Sequence, residues 1–229
     1  MKIIKNLKKS QILRKLFGPL YLHIKNRFTN FNDSSTYWDK RYQRGGNSGA
    51  GSYDKFAIFK AETINKFLND HNINTVIEFG CGDGNQLSLI NYKYYSGFDV
   101  SETIIKKCKE KFSHDKTKKF YQLQAYNGQC ADLTLSLDVI YHLVEDTVYR
   151  KHLNQLFSAS KNFVIIYSSN TNDQETYQSK HVRHRLFLTD IDNNQWELFN
   201  VIPNKYPYDG NEMKGSPANF FIFRKKTKL

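Results

Sequence analysis

The most restrictive feature of the chain is the run VIEFGCGDGNQL at residues 76–87. An apolar, strand-like segment ends in an acid, and glycines then occupy every second position, at Gly80, Gly82 and Gly84. Glycine lets the backbone turn sharply and lets a ligand approach atoms that a β-carbon would block. A strand followed by such a turn is typical of a nucleotide cradle at the edge of a parallel sheet, and the pattern predicts a helix starting near Asn85.

Helix-like and strand-like segments alternate along most of the chain. Short apolar runs separated by amphipathic or capped helical patterns predict βαβ units and a mostly parallel sheet, which is an α/β fold. Two late runs have no helical pattern between them and are expected to form an antiparallel pair at one edge. The five early runs are TVIEF, YYSGFDV, KFYQL, LTLSL and NFVIIY, and the two late runs are WELFNVI and NFFIFRK.

A second acid follows the next strand. The run GFDV ends in Asp99 and Val100, and Asp99 lies fifteen residues beyond Gly84. An ionised carboxylate at a strand tip can accept hydrogen bonds from both hydroxyls of a ribose. Together, the glycine turn and Asp99 predict an adenosyl pocket outside the carboxyl ends of the strands.

Three segments resemble motifs of the class I S-adenosylmethionine-dependent methyltransferases: VIEFGCGDG the first, GFDV the second and DLTLSLDVIYHL the fourth. The resemblance implies a Rossmann-like, seven-stranded sheet with a terminal antiparallel pair and helices on both faces. It also implies S-adenosylmethionine as cofactor. The family often has an acid after the third strand, near the adenine amino group, whereas this chain has Gln122-Leu123-Gln124-Ala125. By motif position, the implied cofactor-binding residues are Glu78, Gly80, Cys81, Gly82, Asp99, Val100, Leu137 and Asp138.

The segment GGNSGAGSY at residues 45–53 does not follow a strand and lacks the Lys-Ser/Thr ending of a phosphate loop, so it is not the nucleotide cradle. In the family, an aromatic-rich segment at this place often folds over the cofactor. We therefore predict a mobile lid over residues 37–53, with Trp38 packing on the cofactor. In this interpretation Tyr42 is packing surface on the acceptor side, and Ser48 and Ser52 donate to the acceptor or to the cofactor carboxylate. A flexible linker is the alternative.

The fourth motif ends in Tyr-His-Leu, similar to small-molecule methyltransferases and unlike the Asn/Asp-Pro-Pro-Tyr/Phe signature of many enzymes that methylate nitrogens of nucleic acids and proteins. His142 is a candidate base, as are His181 and His184 in the later cluster HVRHR. The alternatives are a structural histidine at a helix start and a solvated basic edge. Arg183 and Arg185 are candidates for binding an anionic acceptor. The cluster lacks further ligands at metal-binding spacing, so no metal is expected.

Several segments together resemble a narrower bacterial group associated with cell-surface polysaccharide biosynthesis. The implied reaction is methyl transfer to a sugar hydroxyl or a phosphoryl-type oxygen. An RNA or protein methyltransferase recruited through a basic N-terminus is one alternative, and a cofactor-binding scaffold without turnover is another. The segments that carry this resemblance are YWDKRYQRGGNSGAGSY, FGCGDGNQLSL, SLDVIYHL and VIIYSSN.

The formal charge of +12 lies at the two ends of the chain. Residues 1–27 hold 8 basic side chains and no acid, and the last seven residues hold 4; the 22 remaining basic residues balance all 22 acids. We therefore predict a basic amphipathic extension over residues 1–30 and a catalytic domain over 31–229. The neutral body argues against nucleic acid as partner. The extension suits a membrane surface or a glycosyltransferase, and a terminal helix that covers the domain or frays in solvent is the alternative. Three cysteines without CxxC spacing fit a reducing cytoplasm.

Overall fold

The computed structural model describes residues 31–174, 179–211 and 213–227. The predicted basic extension, residues 1–30, lies outside these residues. Residues 33–229 form one compact unit. In the described part of the chain, no helix has the length and apolar character that crossing a bilayer requires.

Seven strands form one sheet in the order β3-β2-β1-β4-β5-β7-β6. The first five strands are parallel, and β7 runs antiparallel to both β5 and β6. This confirms the predicted α/β sheet with its terminal antiparallel pair. The strands are β1 Thr75–Phe79, β2 Tyr94–Asp99, β3 Lys118–Gln122, β4 Ala131–Leu137, β5 Ser160–Ser168, β6 Trp196–Ile202 and β7 Asn219–Lys225.

Four α-helices lie in the described residues: α1 Ser34–Gln43, α2 Asp54–Asp70, α3 Glu102–Lys111 and α4 Asp146–Ser158. Apolar residues of α2 and α3, such as Ile64 and Ile105, belong to one core cluster, whereas Leu153 and Leu156 of α4 belong to the other. Ser101 caps α3, because its hydroxyl accepts a hydrogen bond from the N–H of Ile104.

The prediction of a helix starting near Asn85 is wrong. Only a 3₁₀ turn, Leu87–Leu89, lies between β1 and β2. The glycine turn uses the first half of this connection, and the remainder is too short for a helix and a return to the sheet. Ile90 and Tyr92 are buried there and contribute to the core instead.

The connection from β3 to β4 contains a single 3₁₀ turn, Leu123–Ala125, and no α-helix. Aromatic rings cover this part of the sheet. Phe98 stacks between Phe79 and Tyr121, with ring centroids 5.5 and 5.3 Å away, and Tyr126 contacts Phe79 edge-on at 5.1 Å. Phe79 and Phe98 are therefore fully buried without a covering helix.

Candidate active site

The glycine turn after β1 allows three chain segments to meet closely. Gly80 and Gly82 have φ values of 87° and 55°, in the left-handed region that favours glycine. A β-carbon at Gly80 would collide with the side chain of Val139, and one at Gly82 would collide with the hydroxyl of Ser48. Glycine is thus required at both positions by conformation and by space.

Asp99 lies at the tip of β2, directly beside this turn. Its Oδ2 accepts a hydrogen bond from the N–H of Gly82 at 3.0 Å, and its Oδ1 accepts one from the N–H of Ser101 at 3.0 Å. A carboxylate has about four lone-pair sites, so accepting capacity remains for a ligand. Burial raises the pKa of Asp99 to about 6, although these backbone N–H groups favour the ionised form.

Glu78 precedes the turn and is buried. The hydroxyl of Tyr95 donates to Glu78 Oε2 at 2.6 Å. Burial nevertheless raises the pKa of Glu78 to about 7, against the opposing effects of Tyr95 and of Lys60. Glu78 therefore gains or loses its proton close to neutral pH.

These residues line a cavity of about 320 Å³ at the carboxyl ends of β1, β2 and β4. A volume of this size is typical of a small-molecule site. The wall includes all nine residues that the sequence predicted to bind cofactor, together with His142, Tyr42, Ser48 and Ser52. The nine are Trp38, Glu78, Gly80, Cys81, Gly82, Asp99, Val100, Leu137 and Asp138.

Residues 77–161, which contain the glycine turn, Asp99 and most of the cavity wall, match a family model described as "Methyltransferase domain". The chain carries a class I methyltransferase domain.

Solved structures share the fold of this methyltransferase at low sequence identity. Magnesium protoporphyrin IX methyltransferase from Synechocystis PCC 6803, with bound SAH, is 16% identical with a TM-score of 0.59, over 84% of this chain and 98% of that one. The N-methyltransferase NodS from Bradyrhizobium japonicum WM9, in complex with SAH, is 13% identical with a TM-score of 0.59, over 74% of this chain and 86% of that one.

The CurJ carbon methyltransferase is 13% identical with a TM-score of 0.54 over 75% of this chain, and the match spans only 54% of that structure. No curated protein sequence matches the chain significantly. Because the similar structures include carbon and nitrogen methyltransferases, the fold does not select the acceptor atom.

The cofactor of the methyltransferase is S-adenosylmethionine. The residues present fit this molecule, because the glycine turn leaves room beside its backbone and Asp99 offers acceptors for two hydroxyls. In the part of the chain that the structure describes, no group of three or more His, Cys, Asp or Glu is placed to hold a metal ion.

Helix α1 lies over the cavity and is attached to the body along its length. At its start, the backbone N–H and the hydroxyl of Ser34 both donate to the Glu145 carboxylate, at 2.8 and 2.6 Å. Further along, the hydroxyl of Ser101 donates to Asp39 at 2.6 Å. We call residues 34–53, which comprise α1 and the loop after it, the cover segment. That it moves as a lid stays a prediction.

The loop GGNSGAGSY, the second half of the cover segment, docks on the glycine turn through Asp83. The N–H of Ser48 donates to Asp83 Oδ2 at 2.8 Å, and the N–H of Asp83 donates back to Ser48 Oγ at 2.9 Å. The hydroxyl of Tyr53 also donates to Asp83, at 2.8 Å. Burial alone would raise the pKa of Asp83, but these donors hold it below its ordinary value. The loop therefore closes the cradle without forming it.

His142 follows β4 and lies among aromatic rings. Its Nδ1 is 3.1 Å from the carbonyl oxygen of His181, and because a carbonyl can only accept, Nδ1 carries the proton. Its ring packs edge-on against Trp38 and parallel to His181, which in turn stacks on Tyr37 at 4.3 Å. Burial, with the charge of nearby groups, lowers the pKa of His142 to about 3.

The residues of the HVRHR cluster, 181–185, do not line the cavity. The guanidinium of Arg185 donates to Asp146 and to the carbonyls of Leu143 and Val144, and it stacks on Tyr149. Arg183 donates to Val144 and pairs with Asp146.

His184 is buried, and its Nδ1 is 2.6 Å from the hydroxyl of Ser169. The structure thus brings neither arginine nor His184 to the cavity wall, and both arginines hold the connection between β4 and α4. His181 reaches the site only through its carbonyl and its ring stack with His142.

Sequence reasoning missed Lys60, which lines the cavity and is 1% exposed. Its ammonium pairs with Asp138 Oδ2 at 2.5 Å and lies over the ring of Tyr167. The hydroxyl of Tyr141 donates to the other oxygen of Asp138 at 2.6 Å. The amphipathic pattern of α2 predicts its buried apolar stripe, but it does not reveal that a lysine also faces inward.

We expect Glu78→Gln to stabilise the cofactor-free methyltransferase at pH 8 and to change little at pH 5. The folded-state pKa of Glu78, about 7, lies above its ordinary 4.5, so the folded state binds more protons than the unfolded state between these values. Stability is therefore lost as pH rises through this window, by about 3 kcal/mol at most, and Gln removes the loss. Urea unfolding of both proteins at the two pH values measures it. An equal difference at both would contradict this assignment.

Proposed function

We propose that the methyltransferase transfers a methyl group to an oxygen of a small or glycan-type acceptor, either a sugar hydroxyl or a phosphoryl or phosphoramidate group, in bacterial capsule or surface polysaccharide biosynthesis. The observation that supports a hydroxyl acceptor is the protonation state of His142. The phosphoryl-type acceptor and the polysaccharide context are supported by the resemblance of the sequence segments alone.

His142 offers a neutral acceptor at the cavity wall. Since Nδ1–H donates to the carbonyl of His181, Nε2 keeps its lone pair. The depressed pKa keeps this ring uncharged through the neutral range, so Nε2 is free to accept a hydrogen bond but is a weak base. A hydroxyl oxygen becomes strongly acidic as it takes the methyl group, and its proton then passes to Nε2 as the carbon–sulfur bond breaks. An acceptor that is already an anion would not need this group.

The cover segment supports a small acceptor. Helix α1 and its loop lie over the cavity and are tied to Glu145, Ser101 and Asp83. A polymer such as RNA or a folded protein would need an open groove in their place. The bound cofactor supplies an electrophilic methyl on its sulfonium; the chain's own contribution is to orient the acceptor and to exclude water.

Residues 1–27 carry the remaining part of the proposal, which is peripheral contact with an anionic membrane or with a glycosyltransferase at the cytoplasmic side. The supporting observation is their charge, 8 basic residues without an acid. This segment also underlies the alternative of recruitment to RNA or protein.

The test is an acceptor panel measured by release of S-adenosylhomocysteine: sugar nucleotides, phosphorylated sugars, amino sugars, an RNA oligonucleotide and a protein mixture. We expect turnover with a hydroxyl or phosphoryl acceptor. For a hydroxyl acceptor, we expect His142→Ala to lower kcat by about 10²-fold, because a positioned proton acceptor contributes on this scale.

Affinity for S-adenosylhomocysteine serves as the control, since His142 is proposed to act on the acceptor. Turnover of RNA, protein or an amine alone would overturn the proposal. An unchanged kcat for His142→Ala with a hydroxyl acceptor would remove the role of His142.

A further inference from the structure

Arg41, near the end of α1, carries a positive charge that no carboxylate of the described residues neutralises. Its side chain is partly buried, and none of the ion pairs among the described residues includes it. By contrast, Arg183, Arg185 and Arg224 each pair with a carboxylate. Charges that are taken out of water usually have a partner of opposite sign. A ligand with a negative charge would supply the missing partner of Arg41.

The guanidinium of Arg41 is held in place by one hydrogen bond and one ring. Its Nε donates to the carbonyl of Asn47 at 2.7 Å, and its central carbon lies 5.4 Å from the ring centroid of Trp38. The two Nη groups carry four of the five N–H donors and have no acceptor among the described residues. Space is open beside Nη2, because a β-carbon at Gly49 would lie 3.7 Å from Nη2 and would meet no other described atom.

Arg41 lies close to the candidate base. Trp38, which lines the cavity, has Arg41 over its ring and His142 edge-on at a centroid distance of 4.9 Å. Burial is the main cause of the lowered pKa of both His142 and His181, and the positive charge of Arg41 contributes to both. Arg41 is not part of the cavity wall itself. The guanidinium therefore lies beyond the wall, on the side of the cavity where His142 faces the acceptor.

We propose that Arg41 binds an anionic group of the acceptor, a phosphoryl or carboxylate group separate from the hydroxyl that is methylated. Two parallel N–H donors of a guanidinium match two oxygens of such a group. One small acceptor can reach both Arg41 and His142, because both side chains contact the same indole ring.

This inference rests on the proposed function and narrows its acceptor to a phosphorylated or acidic sugar. It also gives the anion-binding role to a residue of the cover segment. Arg183 and Arg185, which have the same chemistry, contact Asp146 away from the cavity wall.

Nuclear magnetic resonance of the protein saturated with S-adenosylhomocysteine tests anion binding without turnover. The chain has 2 tryptophans and therefore two indole N–H signals. Trp38 lies beside Arg41, whereas Trp196 is buried on β6 and is the internal control. The probes are inorganic phosphate, glucose 1-phosphate, glucuronate and, as the neutral ligand, glucose, all at constant ionic strength. We expect the three anions to shift the Trp38 signal saturably and at least about tenfold more tightly than glucose, with the Trp196 signal unchanged.

Arg41→Gln removes the charge and the fork of donors. It should weaken binding of the anions by at least about tenfold and raise KM for an anionic acceptor by a similar factor, with kcat changed by less than about threefold. Arg44→Gln is the matched control, because Arg44 is an exposed arginine of the same cover segment, and it should behave as the wild type. Arg41→Lys keeps the charge without the fork and should fall between the two. Affinity for S-adenosylhomocysteine shows that each variant is folded, and Arg41→Lys decides if Arg41→Gln fails this check.

A Trp38 signal that no anion moves, equal shifts of Trp38 and Trp196, or equal anion binding by Arg41→Gln and the wild type would each overturn the proposal. The outcomes are distinct from those for the proposed function. Turnover of a neutral sugar hydroxyl without anion binding would remove the role of Arg41 and keep the oxygen acceptor. Anion binding at Arg41 with turnover of an amine alone would keep the site and overturn the proposed function.

Discussion

Asp99→Ala should weaken binding of S-adenosylhomocysteine by at least 10²-fold. Two hydrogen bonds from ribose hydroxyls to a buried carboxylate are lost together, and each bond to a charged group contributes about 1.5–3 kcal/mol. Calorimetric titration measures the loss, with NAD as the control ligand. We expect NAD to bind neither protein, because the glycine spacing here is ExGxGxG and the dinucleotide fingerprint is GxGxxG.

The pH dependence of the same affinity separates a direct role of Asp99 from a structural one. Since burial raises the pKa of Asp99 to about 6, the affinity of the wild type relative to that of Asp99→Asn should fall about tenfold for each pH unit below this value. Asp99→Asn keeps one acceptor oxygen and cannot titrate at this position, whereas Glu78, whose pKa burial raises to about 7, is present in both proteins and cancels in the ratio. An equal ratio at pH 5 and pH 8 would contradict the carboxylate as the ribose ligand.

The second large effect is on stability, at the buried pair of Lys60 and Asp138. Removal of one partner leaves the other charge buried, which typically costs 3–5 kcal/mol. We expect Asp138→Asn to cost more than Lys60→Met, because the lysine side chain is 1% exposed whereas Asp138 is 12% exposed and keeps the hydroxyl of Tyr141. Urea unfolding of the cofactor-free proteins measures both.

The double variant is the decisive comparison for this pair. If the ion pair is the origin of the effect, the combined cost is smaller than the sum of the single costs by 1 kcal/mol or more. Strictly additive costs would mean that the two side chains stabilise the fold independently. Lys66→Met is a matched control, since Lys66 lies on the same helix and pairs with Asp70 in solvent, where the expected cost is under about 1 kcal/mol.

The strands of this protein could be predicted from sequence because each is a local apolar pattern. β1, β6 and β7 match the predicted runs residue for residue. The residues predicted to bind the cofactor could also be found from a local pattern, which is a strand followed by a glycine turn and a second strand that ends in an acid. The local pattern could not exclude a helix after the glycine turn. No helix forms there because β2 begins soon afterwards and because Ile90 and Tyr92 are buried in the core.

Contacts between residues that are far apart in sequence could not be predicted from a local pattern. Ser34 and Glu145 are 111 positions apart, and Lys60 and Asp138 are 78 apart. The arginines of the HVRHR cluster have the chemistry to bind an anion, but both contact Asp146 and the carbonyl of Val144, away from the cavity wall.

The attachment of the cover segment by serine hydroxyls and carboxylates has a consequence for exchange. Ser34 with Glu145, Ser101 with Asp39 and Ser48 with Asp83 are all polar attachments. Water can replace hydrogen bonds of this kind when the segment detaches, whereas nothing in solvent replaces the apolar contacts of the core. We therefore expect the cover segment to be the part that opens for cofactor exchange while the apolar core beneath stays intact.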